Sequence, residues 1–190
     1  MRAKLSRLVY ERLIARNREY RVYEADSGQW RVSSPSPIQM FDADNPPPGV
    51  ILDLYKSHFG RFRSLPMLNR LYRHGAVLLA LVEFGELHGV GWLQRGRQLN
   101  REFWWLDSGA VCLGPFWTHP DHRGKGVYGR LIDAAMTECA RRGWERTYIF
   151  AQASNVPSIR GIEKAGFSSM GTHRIGSYFM GLIRRHQSLG

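Results

Sequence analysis

Short apolar runs along the chain predict the strands of a β-sheet. Residues 77–82 form a continuous apolar run, and residues 87–93 return after a Gly-Glu turn, which is typical of two buried strands joined by a hairpin. A long strand, bent at Gly109, is predicted where residues 102–106 are followed by residues 110–117. The remaining predicted strands are residues 38–41, 147–150, 167–174 and 177–183.

Apolar residues at helical spacing predict four helices between these strands. The predicted helices are residues 50–60, 64–75, 127–142 and 155–164. Gly75, Gly143 and Gly166 lie at or just past the ends of three of them, and glycine often ends a helix. The alternation of strands and helices therefore indicates an α/β fold.

The start of the chain has a different pattern. Residues 1–21 are rich in arginine and carry apolar residues at helical spacing. They predict a basic helix that docks on the domain, or that contacts an anionic membrane surface or a lipid-linked substrate. Period-two runs at residues 20–24 and 29–32 flank an Asp-Ser-Gly turn and predict a hairpin. We therefore expect a helix-plus-hairpin extension over residues 1–37 and one domain over residues 38–190.

Composition narrows the classes of protein that this chain can represent. It has 190 residues, 43% of them hydrophobic, and a formal net charge of +11, which suits one globular domain with an anionic partner. No RNP-like, zinc-finger or helix-turn-helix pattern supports nucleic-acid binding, and no HxxxH spacing supports a metal site. We expect a cytoplasmic protein, because it lacks a membrane-length apolar run and a secretory signal, and because Cys112 and Cys139 fall in core-like positions.

A turn with two glycines joins the long predicted strand to the helix that begins at Val127. Gly124 and Gly126 let backbone N–H groups approach a ligand, and the start of a helix adds positive potential. Arg123 and Lys125 add full charges beside those amides. The turn therefore predicts a phosphate or pyrophosphate site, although it matches neither a Walker A loop nor a dinucleotide-binding glycine motif.

This turn and a second segment together resemble the motifs of the GNAT superfamily of acyl-CoA-dependent N-acyltransferases. Residues 123–128 read R-G-K-G-V-Y against the family's R/Q-x-x-G-x-G/A. Residues 155–167 read N-V-P-S-I-R-G-I-E-K-A-G-F against N-x-x-S/A-x-x-x-Y-E-K-x-G-F. The resemblance covers about residues 38–183 and implies a mixed, mostly antiparallel sheet with a splayed strand pair, flanked by helices. Tyr128 departs from a small residue in the family motif, and Ile162 departs from the tyrosine that often serves as its acid.

The resemblance also implies a cofactor site. Acetyl-CoA, or another acyl-CoA, would bind in a notch beside the splayed strand, with its pantetheine arm paired to that strand and its pyrophosphate on the turn. The residues implied are Trp117, Thr118, His119, Arg123, Gly124, Lys125, Gly126, Val127, Tyr128, Asn155 and Ser158. Taken alone, Asn155 is equally well explained as a helix cap.

The reaction implied is attack of a primary amine on a thioester, and the amine must first lose a proton. Asp107, at the start of the long strand, is the candidate base, and Tyr178, in a closing strand, is the candidate acid. Both are also ordinary residues for a turn and a strand. His173 is a further option for proton transfer. Cys139 lies on a predicted buried helix face, so we expect no covalent catalysis by it.

We therefore expect an N-acetyltransferase that acts on a small-molecule amine. An amino sugar of a surface-polysaccharide pathway, including a nucleotide- or lipid-linked one, is the leading candidate acceptor. Acetylation of a protein or peptide amine is an alternative. A second alternative is a non-catalytic module that binds acyl-CoA or nucleic acid, which the absence of a proton donor at Ile162 favours.

Overall fold

The structure, a computed structural model, describes residues 15–30, 37–60, 73–95, 103–107, 109–178 and 183–190. These residues form nine strands and three α-helices. The strands are β1 (Ala15–Asp26), β2 (Ile38–Phe41), β3 (Val77–Glu83), β4 (Glu86–Arg95), β5 (Val111–Leu113), β6 (Trp117–Thr118), β7 (Arg146–Gln152), β8 (Ser168–Tyr178) and β9 (Ile183–Ser188). The helices are α1 (Gly49–Phe59), α2 (Val127–Arg141) and α3 (Val156–Lys164).

All nine strands belong to one sheet, in the order β2-β3-β4-β5-β7-β1-β8-β9, with β6 paired to β4. The β5–β7 pair is parallel, and the other pairs among the described strands are antiparallel. A parallel pair needs a crossover connection, and α2 supplies it. The predicted fold class, a mixed and mostly antiparallel sheet flanked by helices, is therefore confirmed.

Apolar side chains cover both faces of the sheet. On one face, α2 and α3 pack on alternate residues of the central strands, with Leu79, Leu131 and Ile149 in one buried cluster. On the other face, α1 covers a cluster that contains Leu78. Alternate residues of β3 thus enter different clusters, which explains why this strand is apolar throughout. A third cluster, around Phe103, covers β1, β7 and β8.

The helix predicted over residues 1–21 is wrong for residues 15–21, whereas the first strand of the predicted hairpin, residues 20–24, is confirmed as part of β1. The second strand of the hairpin, residues 29–32, is wrong at Gln29, which belongs to a short 3-10 helix, and its residues 31–32 lie outside the described residues. Residues 15–26 form β1, which runs between β7 and β8. Within β1, Tyr20 lies opposite Gln152 of β7 and His173 of β8. The arginine-rich pattern does not indicate a strand, because backbone pairing with both neighbouring strands, rather than local propensity, decides the conformation of β1. Residues 1–14 lie outside the described residues, so the basic helix and its membrane contact stay predictions. The domain boundary after residue 37 also stays a prediction.

The single long strand predicted from residue 102 to residue 117 is also wrong. Residues 103–106 form a turn, and the strand is divided into β5 and β6 by Gly114, Pro115 and Phe116. Proline has no N–H to donate to a sheet, so the interruption falls here rather than at Gly109. This interruption creates the site described below.

Most of the remaining predicted elements lie close to their observed positions. The closing strand predicted over residues 177–183 is wrong at both ends, because residues 177–178 belong to β8 and β9 begins at Ile183. The helices α1, α2 and α3 were each predicted to within about two residues at either end. The predicted helix over residues 64–75 lies mostly outside the described residues. None of the described helices is both long enough and apolar enough to span a membrane.

Candidate active site

Two neighbouring strands separate in the middle of the sheet. β5 pairs with β7 from Val111 to Leu113. Beyond that point β6 pairs with β4, while residues 150–152 of β7 pair with β1. In the described register nothing bridges β6 and β7, and we call the space between them the gap. The splayed strand pair implied by the motifs is thus present.

The backbone of Thr118 faces this gap. His119 donates its N–H to the carbonyl of His88 at 2.9 Å, so the groups of His119 point toward β4. Hydrogen-bonding direction alternates along a strand, so the groups of Trp117 also point toward β4 and those of Thr118 point away. Of Trp117, Thr118 and His119, the implied cofactor residues on or next to β6, Thr118 is therefore the one whose backbone groups face the gap.

Two glycines of β4 hold the splayed segment in place. A Cβ on Gly89 would lie 2.9 Å from the carbonyl oxygen of Trp117 and 2.8 Å from Val127 Cγ1. A Cβ on Gly91 would overlap the ring of Phe116. Both positions are on the same face of β4, so the absence of side chains there lets residues 116–118 and the start of α2 pack directly on this strand.

The glycine turn, residues 123–128, lies where β6 leads into α2. Gly124 and Gly126 have φ of 74° and 78°, a region that favours glycine, and a Cβ on either would meet no atom within 4 Å. Within the described part of the chain, the N–H groups of residues 124–129 have no hydrogen-bond acceptor. Arg123 and Lys125 are exposed beside them. The turn therefore offers unpaired donors and two cations at one end of the gap.

Tyr128 spans the space between α2 and α3. Its hydroxyl is 3.0 Å from Ser158 Oγ, and its ring lies edge-on to Phe116 with the centroids 5.4 Å apart. A Cβ on Gly161 would be 2.6 Å from the Tyr128 ring, so this glycine provides the room that the large side chain requires. Burial raises the pKa of Tyr128, which keeps its hydroxyl protonated.

Asn155 acts as a helix cap. Its Oδ1 accepts the N–H of Ser158 at 3.3 Å at the start of α3. The structure thus brings Ser158 to Tyr128, the second residue of α2, while Asn155 caps the helix that carries Ser158. Their contact with a cofactor stays a prediction.

The two candidate catalytic residues lie away from the gap. Asp107 is 3.2 Å from Arg146 Nη1 and accepts the N–H of Gly109 at 2.9 Å, at the closed end of the β5–β7 pair. Tyr178 is the last residue of β8, opposite Ala15 of β1, so β1 separates its strand from β7. Their catalytic roles stay predictions, and neither position adjoins Thr118.

His173 and Cys139 are both buried. His173 Nδ1 is 2.9 Å from His186 Nε2, in a stack with Trp105 on the β8–β9 side of the sheet. Burial raises the pKa of Cys139 to about 12, so the thiol is protonated at neutral pH and is a poor nucleophile. The expectation against covalent catalysis by Cys139 therefore has a physical basis.

A histidine that was not predicted from the sequence contacts β6. His58, near the end of α1, has its ring 5.1 Å from the ring of Trp117 and 4.9 Å from that of His119. Phe59 lies 4.9 Å from Trp117 in the same way. No motif marks His58, because it reaches β6 only through the packing of α1 on this face of the sheet.

Comparison with known proteins agrees with this geometry. The model of the acetyltransferase (GNAT) family matches residues 39–167. A mycothiol acetyltransferase from Corynebacterium aurimucosum is 30% identical over 53 residues, which are 28% of this chain and 17% of that protein.

Solved structures share the fold at low sequence identity. A GNAT-family acetyltransferase from Colwellia psychrerythraea is 14% identical, with a TM-score of 0.60 over 92% of this chain and 61% of its own. The structure of AAC(6')-Iy with the bisubstrate analog CoA-S-monomethyl-acetylneamine is 16% identical, with a TM-score of 0.54 over 69% of this chain and 89% of its own. The chain thus spans less than two thirds of the Colwellia protein and about a sixth of the Corynebacterium protein.

Proposed function

Because the chain belongs to the acetyltransferase (GNAT) family, we propose that it transfers an acetyl group from acetyl-CoA to a primary amine of a small molecule. The observation that carries this proposal is the gap between β6 and β7, with the amides of the glycine turn, which have no partner among the described residues, at its end. The bisubstrate analog bound to AAC(6')-Iy joins CoA to such an amine in that protein.

The residues at the gap fit the two ends of acetyl-CoA. The amides of residues 124–129, with Arg123 and Lys125, would hold the pyrophosphate, because a helix start and two cations favour an anion. The Thr118 backbone would pair with the amide-containing arm, as one strand pairs with another. Tyr128 and Ser158 would line the α3 side of this arm.

The amine would approach from the face of the sheet that carries α1. The opposite face at the gap is closed by α2 and α3, whose apolar residues share one buried cluster. On the α1 face the apolar residues form two separate clusters, one with Trp117 and one with Phe150. The space between these clusters is the acceptor entrance that we propose.

Acetyl-CoA supplies an activated thioester carbonyl, and the chain must supply positioning and proton transfer. His58 is placed to accept a proton from an amine at this entrance, because it contacts Trp117 on β6. Asp107, the base predicted from the sequence, lies at the closed end of the β5–β7 pair, so it would need intervening groups to carry the proton from the amine. The Thr118 N–H is oriented to donate to a developing oxyanion in the gap.

Tyr128 is a second candidate to protonate the departing thiol, beside Tyr178. Its hydroxyl lies at the α3 wall with Ser158 as partner, and burial keeps it protonated. This position would compensate for Ile162, which cannot donate a proton. Replacing Tyr128 by Phe should then lower kcat with little change in the KM for acetyl-CoA, whereas a purely packing role would leave kcat unchanged.

Acetyl-CoA turnover with a panel of amines tests the proposal. The panel should include amino sugars, aminoglycosides, free lysine and a lysine-containing peptide, with CoA release as the readout. Release that requires a small amine supports the proposal, and release with the peptide alone would favour protein acetylation. Binding of acetyl-CoA without turnover on any amine would favour the non-catalytic alternative.

We propose an amino sugar as the first acceptor to test. A basic N-terminal segment could then bring an anionic or lipid-linked form of that acceptor, or a membrane surface, to the domain. The formal net charge of +11 supports an anionic partner of this kind.

A further inference from the structure

Two histidines and two glutamates form a cluster beside the glycine turn and outside the gap. Glu83, Glu86 and His88 belong to the β3–β4 hairpin, and His122 lies in the turn before α2; we call them the hairpin cluster. One possible ligand atom from each of Glu86, His88 and His122 lies within 4.8 Å of the other two. The imidazole rings of the two histidines are stacked 3.5 Å apart, and His122 Nε2 is 3.6 Å from Glu86 Oε2.

His88 is held in the orientation that a metal ligand requires. Its Nδ1 is 3.0 Å from Glu83 Oε2, and the other oxygen of Glu83 accepts from Arg130 Nη2 at 2.7 Å. Arg130 is always a donor, so Glu83 accepts from it through one oxygen and is left to accept from His88 through the other. The proton of a neutral His88 therefore belongs on Nδ1, which leaves Nε2 as a lone-pair donor. Metal-binding histidines commonly have such a carboxylate on the other ring nitrogen.

We propose that Glu86, His88 and His122 bind a divalent transition metal. Two imidazole nitrogens and one carboxylate oxygen are a donor set that suits Zn²⁺, and also Co²⁺, Ni²⁺ or Cu²⁺. Zinc bonds of about 2.0–2.2 Å place neighbouring tetrahedral ligand atoms about 3.5 Å apart. The exposed Glu86 must therefore close inward by roughly 1 Å. The partly exposed His122 must also rotate out of its stack with the buried His88, because two parallel rings cannot direct their in-plane lone pairs at one ion.

A metal at this position would tie the hairpin to the glycine turn. His122 directly precedes Arg123, and the other two ligands are on β4. No sequence motif marks this site, because the two histidines are far apart in the chain and meet through the β4–β6 pairing. Sequence spacing alone predicted that the chain binds no metal.

Calorimetric titration of untagged protein with Zn²⁺, in the absence of CoA, tests the proposal. We expect one metal per chain, and a cobalt-loaded sample should show the visible absorption of a nitrogen- and oxygen-ligated Co²⁺ ion. His122→Ala should weaken binding at least 100-fold, and Glu83→Gln should weaken it about 10–100-fold. His74→Ala, at an exposed histidine outside the cluster, should leave the affinity unchanged.

The opposite results would overturn the proposed metal site. Absence of binding heat in the wild-type protein, or equal affinity in His122→Ala and His74→Ala, would show that the cluster is only an ion-pair and stacking network. If His122→Ala does not fold, Glu86→Gln changes an exposed ligand instead, and unchanged affinity in that variant would also overturn the proposal. Because no acetyl-CoA is present, this result is independent of whether the chain transfers acetyl groups.

Discussion

Replacement of Gly161 by Ala tests the packing of Tyr128 between α2 and α3. An added Cβ would lie 2.6 and 2.8 Å from two ring carbons of Tyr128. Overpacking of this kind costs about 1–3 kcal/mol. Ala is favoured over Gly inside a helix by about 1 kcal/mol. The single variant should therefore lose about 0–2 kcal/mol of unfolding free energy.

The effect of Gly161→Ala on the free energy of unfolding should change sign when the Tyr128 ring is removed. In a Tyr128→Ala background, Gly161→Ala should stabilise the protein by about 1 kcal/mol, which gives a coupling energy of about 1–3 kcal/mol between the two positions. Urea unfolding of the four proteins measures this coupling. Gly129→Ala is a matched control, because a Cβ there meets nothing within 4 Å, and it should stabilise by about 0.5–1 kcal/mol. Additive effects at positions 128 and 161 would refute the placement of the Tyr128 ring.

Three further perturbations probe the sheet, the thiol and the histidine pair. Gly89→Ala should destabilise by about 1–3 kcal/mol and weaken CoA binding, because its Cβ would press on the Trp117 carbonyl; wild-type values in urea unfolding and calorimetry would contradict this. With a pKa of about 12, the thiol of Cys139 should resist a disulfide reagent at pH 8 until the protein unfolds, and rapid labelling at that position, located by peptide mass spectrometry, would contradict its burial. Burial lowers the pKa of His186 below its usual value of about 6.5, and the charge of His173 lowers it further. Just below pH 6.5 the unfolded chain therefore binds more protons than the folded chain, so the free energy of unfolding should fall as the pH drops through that range. Urea midpoints at pH 7.5 and 5.5 measure this fall, His186→Gln should reduce it, and a rise on acidification would contradict it.

The sequence was most informative where local pattern and chain connectivity agree. The run 77–82, the glycine turn and the helix from Val127 all carry signals within a few residues, and each has its predicted conformation. The interruption of the long strand was placed wrongly, because Gly109 and Pro115 are both plausible breaks by local rules. The strand is divided at Pro115, which has no N–H to donate to the sheet, and the packing of Phe116 over Gly91 holds the chain in this position.

Long-range pairing decided the features that the sequence did not reveal. β1 has a basic pattern that suits a surface helix, yet its backbone pairs on both sides and Val22 and Tyr23 are buried. His58 and the hairpin cluster contain residues that are distant in the chain, so no motif could group them. Tyr128 was recognised as a departure from the family motif, but its compensation by Gly161 requires the α2–α3 contact.

Calorimetric titration of CoA into the wild-type protein and an Arg123→Ala/Lys125→Ala double variant tests the central claim most directly. The glycine turn should bind the pyrophosphate, so we predict one CoA per chain and a loss of affinity of about tenfold or more in the double variant, which corresponds to about 1.4 kcal/mol. Lys56→Ala, which removes an exposed cation of α1 that pairs with Asp53, should bind CoA as the wild type does. No binding heat, or equal affinity in all three proteins, would contradict a nucleotide site at the glycine turn.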